Sequence, residues 1–198
     1  MNQTYMKEKK IFPLVMSMAL PMMLSMAFNS LYNIVDSYFV AKLSEDAMTA
    51  LSLVYPAQNL LTAVAVGFGV GVNAMISFYL GAQNQEKADK TATQGMELGV
   101  LHGVLLMILF LCCMNWFLGM FTKSDTVRAL GMEYSNVVFL FSTIVTGGIT
   151  LEKIFQAVGR MRATMVSMIA GFVTNIVLDP LLIFGIGPFP RMEIAGAA

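Results

Sequence analysis

Asp36 and Asp179 are the two carboxylates of this 198-residue sequence that are surrounded by long apolar stretches, and they are the residues best suited to chemistry. A charged aspartate at the centre of a membrane helix costs roughly 2.5 to 3.5 kcal/mol on insertion scales. A pair of acids retained at that cost is suited to taking up and releasing a cation. With a helical rise of about 1.5 Å per residue, both acids fall in the outer half of a bilayer, where they could face each other across a small cavity.

The polar neighbours of Asp36 precede it at helical spacing. Asn29, Tyr32 and Asn33 share one helix face with the acid. This stripe of amides and a phenol indicates a proton or sodium site. The alternative is that Asp36 is an interfacial residue at the end of a helix.

The second acid has its own amide neighbour and a proline. Asn175 lies one helical turn before Asp179, and Pro180 directly follows the acid. A proline removes a backbone donor, so a local helix break is an alternative explanation of this segment. Freed carbonyls beside a carboxylate are also how transporters build cation sites, so a sodium site at Asp36, Asn175 and Asp179 is a further possibility.

Long apolar segments must position these residues. The chain is 57% hydrophobic and only 12% charged, whereas soluble domains average about 25% charged residues. A membrane span needs about 20 apolar residues, and the charge-free runs lie at 11–35, 47–85, 98–122, 134–151 and 163–178. We therefore predict an all-α, polytopic transmembrane helix bundle and exclude a globular cytosolic enzyme. The predicted helices lie near 11–40, 49–80, 94–120, 129–152 and 163–187.

The basic residues indicate the orientation of the bundle. Alternate loops carry 8 and 4 of the 12 Lys and Arg residues, and the side with 8 includes the N-terminus. Cytoplasmic loops carry the excess of Lys and Arg, so we expect a cytoplasmic N-terminus and a multi-pass protein of the cell membrane. The first apolar segment is too long for a signal peptide and lacks a cleavage site, so it is interpreted as a retained helix.

The composition also limits the kinds of partner that the protein is expected to bind. Net charge is zero and no basic patch with aromatics appears, so nucleic acid is not an expected partner and membrane lipids are. Cys112 and Cys113 are adjacent and have no disulfide or metal-ligand spacing. No Ser/His, HExxH or paired catalytic Asp motif occurs, so we expect neither catalytic residues nor a cofactor other than a coupling ion.

The segment 193–198 has the composition of a helix start. These six residues, of which all but Glu193 are small or apolar, are too few to recross a bilayer. We therefore expect five full transmembrane helices plus the start of a sixth, in a single domain covering residues 1–198 that is truncated from a longer protein.

Five motifs resemble those of the multidrug and toxic compound extrusion (MATE) transporters across essentially the whole chain. They are A-L-P at 19–21, Y-N-I-V-D at 32–36, the glycines of 67–71 leading to L-G-A at 80–82, F-Q-A-V-G-R at 155–160 and N-I-V-L-D-P at 175–180. The resemblance implies the N-terminal lobe of a twelve-helix transporter, with a C-terminal lobe as its partner. It also implies that the cation-coupling residues are Asp36, Asp179, Asn175 and Tyr32, and that the first helix bends at Pro21.

The function that this resemblance implies is a proton- or sodium-coupled antiporter that exports organic cations or amphiphilic drugs. A flippase of lipid-linked saccharides is an alternative with a related architecture. The apolar runs contain no Lys or Arg to bind an anionic head group, which favours drug export. A non-transporting membrane scaffold is a second alternative, and it would have no use for the cost of Asp36 and Asp179.

Two other features have structural interpretations. The G-F-G-V-G segment at 67–71 has no preceding strand and no following lysine, so it predicts close helix packing rather than a phosphate loop. His102 stands alone in the third helix and is interpreted as a packed or interfacial histidine.

The charge count generates a topology prediction. A reporter fused after Ala88 should be cytoplasmic, and one fused after Ser124 should be outside, because these sites lie on opposite sides of the predicted third helix. Alkaline phosphatase and fluorescent protein fusions measure this. The reverse pattern would contradict the helix assignment.

Overall fold

A computed structural model describes residues 10–198 of the chain. The described residues form six α-helices and one short 3-10 helix. The α-helices are α1 (Ile11–Ala41), α2 (Glu45–Gly81), α3 (Gln85–Phe121), α4 (Asp125–Leu140), α5 (Ser142–Ala157) and α6 (Met161–Phe184), and the 3-10 helix is Glu193–Ala197. The predicted all-α class is confirmed. Lys7 and Lys9, which entered the charge count, lie outside the described residues.

Four helices are long and apolar enough to cross a membrane by themselves: α1, α2, α3 and α6. They match the predicted first, second, third and fifth helices. Both α2 and α3 begin earlier than predicted, because Ser44 and Asn84 cap them by accepting hydrogen bonds from backbone N–H groups three residues on. The first turns of both helices carry acidic residues, which suit the positive end of the helix dipole. Because the helices were predicted from charge-free runs, these charged first turns were left out of the predicted ranges.

The prediction of one unbroken helix over 129–152 is wrong. That segment consists of α4 and α5, which are bent by 48° at Phe141 and together are long and apolar enough for one broken span or a re-entrant loop. The Ser142 hydroxyl donates to the Phe139 carbonyl at 2.7 Å and also reaches the Gly103 carbonyl of α3 at 3.4 Å. Such local side-chain bonds compete with helical ones. No proline lies between 125 and 157, so the sequence carries no obvious sign of the break.

The helices pack as two connected groups. The main group consists of α2, α3 and α5, with α4 packed on α2 and α3. The other is the pair of α1 and α6, which makes its further contacts with α2, α5 and the 3-10 helix. A core cluster joins the two groups, since it includes Val40 of α1 and Ile183 of α6 together with residues of α2, α3 and α4.

A glycine stripe on α3 allows the close packing of the main group. A Cβ atom on Gly95 would lie 2.6 Å from the Val72 side chain, and one on Gly99 would lie 2.5 Å from Thr150. Gly103 meets Thr146 and the Thr143 backbone in the same way. The packing predicted for the G-F-G-V-G segment holds only at its central glycine. The outer two, Gly67 and Gly71, have no neighbouring atom within 4 Å of an added Cβ.

The segment expected to start a sixth helix forms the 3-10 helix instead. It packs back on α6, with Ile194 buried and the Gly196 backbone against that of Leu182 and Ile183. Gly185 ends α6 in the left-handed conformation, at φ 69°, which a glycine adopts without strain.

The glycine stripe generates a stability prediction. Gly103→Ala would place a methyl group against Thr146 and 2.7 Å from the Cα of Thr143, a backbone atom that cannot turn aside. We expect a loss of roughly 1–3 kcal/mol of stability, as for other overpacked cores. Thermal unfolding in detergent, followed by the loss of the monodisperse peak, measures the difference.

Gly71→Ala is the matched control, because no atom lies within 4 Å of its added Cβ. Alanine is favoured over glycine within a helix by about 0.5–1 kcal/mol, so the control should be neutral or slightly stabilising. Equal melting temperatures for the two variants would contradict the packing described for α3.

Candidate functional site

The two sequence-predicted acids are both buried, one on each helix of the α1–α6 pair. The Asp36 residue is 8% exposed and the Asp179 residue is 2% exposed. The alternative that Asp36 is a solvated interfacial residue does not fit this burial. Asp179 lies within α6, which continues through Pro180 to Phe184, so the proline does not end the helix.

Two aromatic contacts fix the register of α1 on α6. Tyr32 stacks on Phe172, with ring centroids 5.7 Å apart and planes 14° apart. Further along both helices, Phe39 meets the edge of Phe184 at 6.2 Å. The two residues of α1 and their partners on α6 follow each other in the same order along the chain. The helices α1 and α6 therefore run parallel. Aromatic contacts of these two geometries favour a single relative placement of the helices.

This register brings the two acids to the same level. On α1, Asp36 lies slightly beyond the midpoint between Tyr32 and Phe39. On α6, Asp179 lies at the corresponding point between Phe172 and Phe184. The sequence-based expectation that they face each other is therefore consistent with the geometry of the helix pair.

Three oxygen atoms of this cluster are buried and have no hydrogen-bond partner among the described residues. They are Asp36 Oδ1, Asn175 Oδ1 and Asp179 Oδ2. An unpaired buried acceptor costs roughly 1–3 kcal/mol, and more when it is charged. Two ionised carboxylates would also repel each other strongly in a medium of low dielectric constant. A proton or a monovalent cation would relieve both penalties.

The donor set suits a proton or Na⁺ rather than a transition metal. Its atoms are carboxylate and amide oxygens, the ligands that hard cations prefer. Within residues 10–198, no three or more His, Cys, Asp and Glu side chains gather as a metal centre. The carbonyl of Ile176, next to Asn175, is a further acceptor. It is left free because Pro180, one turn later in α6, has no N–H to donate to it.

Tyr134 of α4 is a further buried polar residue, and sequence reasoning missed it. The Tyr134 residue is 4% exposed, and its hydroxyl accepts a hydrogen bond of 3.1 Å from Gln58 Nε2 of α2. It belongs to the same buried cluster as Val40 of α1 and Ile183 of α6. The motifs place no polar residue of α4 near the acids, and only the packing of α2 and α4 reveals this contact.

The polar stripe on α1 divides into two parts. Tyr32 and Asp36 turn toward α6, whereas Asn29 and Asn33 are exposed and bond to each other, with Asn33 Nδ2 donating to Asn29 Oδ1 at 2.8 Å. Exposed amides are costly against lipid, so this flank of α1 suits a polar cavity or a protein partner.

Pro21 and His102 lie apart from the acids. Pro21 is fifteen residues before Asp36 and within the unbroken α1, where its carbonyl accepts a hydrogen bond of 2.9 Å from the Ser25 hydroxyl. His102 packs against Phe68 with ring centroids 4.7 Å apart and planes tilted by 35°, and its Nδ1 lies 2.8 Å from the Leu98 carbonyl. The interpretation of His102 as a packed histidine is consistent with these contacts.

Comparisons with known proteins agree on one family. The MatE family model matches residues 21–181. The multidrug export protein MepA of Staphylococcus aureus (strain NCTC 8325 / PS 47) is 29% identical over 195 residues, which is 98% of this chain and 42% of MepA. The chain therefore spans about two fifths of the length of that relative.

Two solved structures have the same fold. One is the outward-facing conformation of a multidrug resistance MATE family transporter of the MOP superfamily, with a TM-score of 0.87 and 28% identity over 93% of this chain and 40% of that one. The other is a MATE structure in the bent conformation, with a TM-score of 0.84 and 30% identity over the same shares.

Proposed function

Because the chain belongs to the MatE family, we propose that it forms the cation-coupling lobe of a secondary active exporter. In this proposal an inward-moving proton or Na⁺ exchanges for an outward-moving organic cation or amphiphilic drug. The observation that carries the proposal is the buried pair of Asp36 and Asp179, held at one level by α1 and α6 with unpaired oxygens. The protein would lie in the cell membrane with its N-terminus in the cytoplasm.

The coupling cation acts by neutralising the acid pair. With both carboxylates ionised, their repulsion opposes the close packing of α1 on α6. A proton shared between them, or Na⁺ bound to Asp36, Asn175 and Asp179, removes this repulsion and allows the helices to close. Titration then belongs to the pair rather than to either acid.

The remaining residues transmit this change. Tyr32 lies one turn before Asp36 and stacks on Phe172, so a movement of α1 against α6 must break or reform that contact. Pro21 lacks the N–H that would complete the helical ladder of α1 and is therefore the place where the helix bends. The bend would change the exposed flank of α1 at Asn29 and Asn33, where a drug would bind.

Three observations favour this function over the alternatives. A flippase would need cationic residues to bind an anionic head group, and the apolar runs contain no Lys or Arg. A scaffold would gain nothing from an unpaired buried acid pair. No sequence motif for catalysis is present, and we propose that the protein is a transporter rather than an enzyme.

The proposal predicts a loss of coupling when either acid is neutralised. Asp36→Asn and Asp179→Asn keep the side-chain shape and remove the charge, so each variant of the complete gene product should insert normally and lose drug efflux. The double variant should be little worse than either single one, because the two acids act as one site. Efflux of a fluorescent cationic dye from cells, with protein levels checked by immunoblot, measures this.

Asp89→Asn is the matched control, since Asp89 is exposed near the start of α3 and its carboxylate accepts a hydrogen bond from Gln85 of the same helix. It should retain wild-type efflux. Full efflux in both Asp36→Asn and Asp179→Asn would mean that these acids are structural.

A second prediction concerns residues 1–198 expressed alone. Alternating access requires a second helix bundle against which the first can move, so these residues should insert in the membrane without exporting drug. The dye-efflux assay tests this. Measurable efflux would contradict the proposed requirement for a second lobe.

A further inference from the structure

We propose that four polar residues where α2 meets the end of α5 form a clamp that anchors α6 to the main helix group. The clamp residues are Asn73, Glu152, Lys153 and Gln156. They are positioning residues, since in this proposal none of them touches the cation or the drug. The clamp is a feature of the helix packing, and its role in transport rests on the proposed function.

Polar contacts join the clamp residues to one another. Asn73 Nδ2 of α2 donates to the Lys153 carbonyl of α5 at 2.8 Å. Lys153 Nζ lies 3.2 Å from Glu152 Oε1 and 3.4 Å from Gln156 Oε1, and Gln156 Nε2 donates to the same Glu152 oxygen. The Lys153 and Glu152 side chains are 15% and 21% exposed, and Gln156 is buried. Removing one partner from such a shielded network leaves a poorly solvated polar group, so the four residues act as a unit.

A glycine of α2 makes room for the clamp. A Cβ atom on Gly69 would lie 2.8 Å from Cγ of Lys153. The lysine stem therefore crosses α2 at Gly69, one helical turn before Asn73. Two positions on one face of α2 thus contact a single residue of α5, which fixes the register of the two helices.

The clamp continues directly into the turn between α5 and α6. The Gln156 carbonyl accepts a hydrogen bond of 3.0 Å from the Gly159 N–H, and the Phe155 carbonyl accepts one of 2.9 Å from the Arg160 N–H. Gly159 has a φ of 74°, a left-handed conformation that glycine adopts without strain. The first residue of α6 follows Arg160. The F-Q-A-V-G-R motif therefore connects the clamp to the start of α6 through a defined turn.

The two ends of the α1–α6 pair are attached to the main group in different ways. At the end away from the clamp, Val40 of α1 and Ile183 of α6 belong to a core cluster with residues of α2, α3 and α4. At the clamp end, the buried cluster of Val72, Ile76 and Ala88 has partly buried neighbours on α2, α3 and α5. Within the main group α6 packs against α5. The clamp and the turn are therefore the attachment of α6 at this end.

The start of α1 has no comparable attachment within the described part of the chain. No residue of the segment 11–24 is buried, and the first buried residue of α1 is Ser25. Asp36 thus lies on a helix whose first half is loosely held, and Asp179 lies on an anchored one. If α6 were free to follow α1, the two acids would move together and their separation would not change. The clamp therefore holds Asp179 in place while Asp36 moves.

Two substitutions loosen the clamp by different routes. Asn73→Leu keeps a side chain of similar volume and removes the donor to α5. Gly69→Ala adds a methyl group that displaces the Lys153 stem. In the purified complete gene product, we expect the amides of 158–166 to exchange with deuterium roughly twofold to tenfold faster in each variant, the range that follows from losing one hydrogen bond. Exchange at 85–91, the start of α3, should keep its wild-type rate.

Each substitution has a matched control on α2. Gln58→Leu removes an amide that donates to the Tyr134 hydroxyl of α4 at 3.1 Å, so it breaks an interhelical bond away from the clamp. Gly67→Ala adds a methyl group where no atom lies within 4 Å. Neither control should change exchange at 158–166. The double variant of Asn73 and Gly69 should exchange little faster than either single one, because both substitutions open the same clamp.

Dye efflux per folded protein connects the clamp to transport. When α6 follows α1, the acids separate less and the coupling cation has less effect on the helix pair. Asn73→Leu and Gly69→Ala should therefore lower efflux by a factor similar to the change in exchange, after correction for the amount of folded protein. A purely structural role would lower that amount and leave the efflux of the folded molecules unchanged.

Three results would overturn the inference. Unchanged exchange at 158–166 in both clamp variants would mean that the clamp does not anchor α6. An equal increase at 85–91 would mean that these residues support helix packing in general. Faster exchange at 158–166 with full efflux per folded protein would mean that transport does not need an anchored α6. Failure of the proposed function is a separate result, namely full efflux in both Asp36→Asn and Asp179→Asn.

Discussion

The unpaired, buried carboxylates of Asp36 and Asp179 are the constraint on which the rest of this structure depends. Two acids at one level between parallel helices are stable only if something offsets their desolvation and mutual repulsion. The aromatic contacts on either side of them set the register of the two helices. The α1–α6 pair is therefore a place where the addition or removal of one positive charge has a large effect on packing.

The other helices supply a rigid support for that pair. The glycine stripe of α3 brings its backbone close to Val72 of α2 and Thr150 of α5, and such close packing resists small displacements. The break at Phe141 turns α4 away from the direction of α5. Tyr134 of α4 reaches the cluster beside the acids, held by Gln58 of α2. A change at the acids can thus reach both groups of helices through a few defined contacts.

Much of the fold could be predicted because lipid restricts the choices. Charge-free runs located the spans, and the rarity of acids within them singled out Asp36 and Asp179. The helical spacing to Asp179 added Asn175, whose oxygen is buried without a hydrogen-bond partner among the described residues.

The rest depends on contacts between residues distant in sequence. No proline marks the bend at Phe141. At the bend, the Ser142 hydroxyl bonds instead to the neighbouring Phe139 carbonyl and to the Gly103 carbonyl of α3. Tyr134 and Gln58 are 76 positions apart and meet only when α2 packs on α4. The most direct test of a shared cation is the infrared spectrum of the purified protein, titrated with acid in Na⁺-free buffer. We expect one protonated-carboxyl band that is lost or shifted by Asp36→Asn and by Asp179→Asn alike, whereas a band unchanged in both variants would contradict the account.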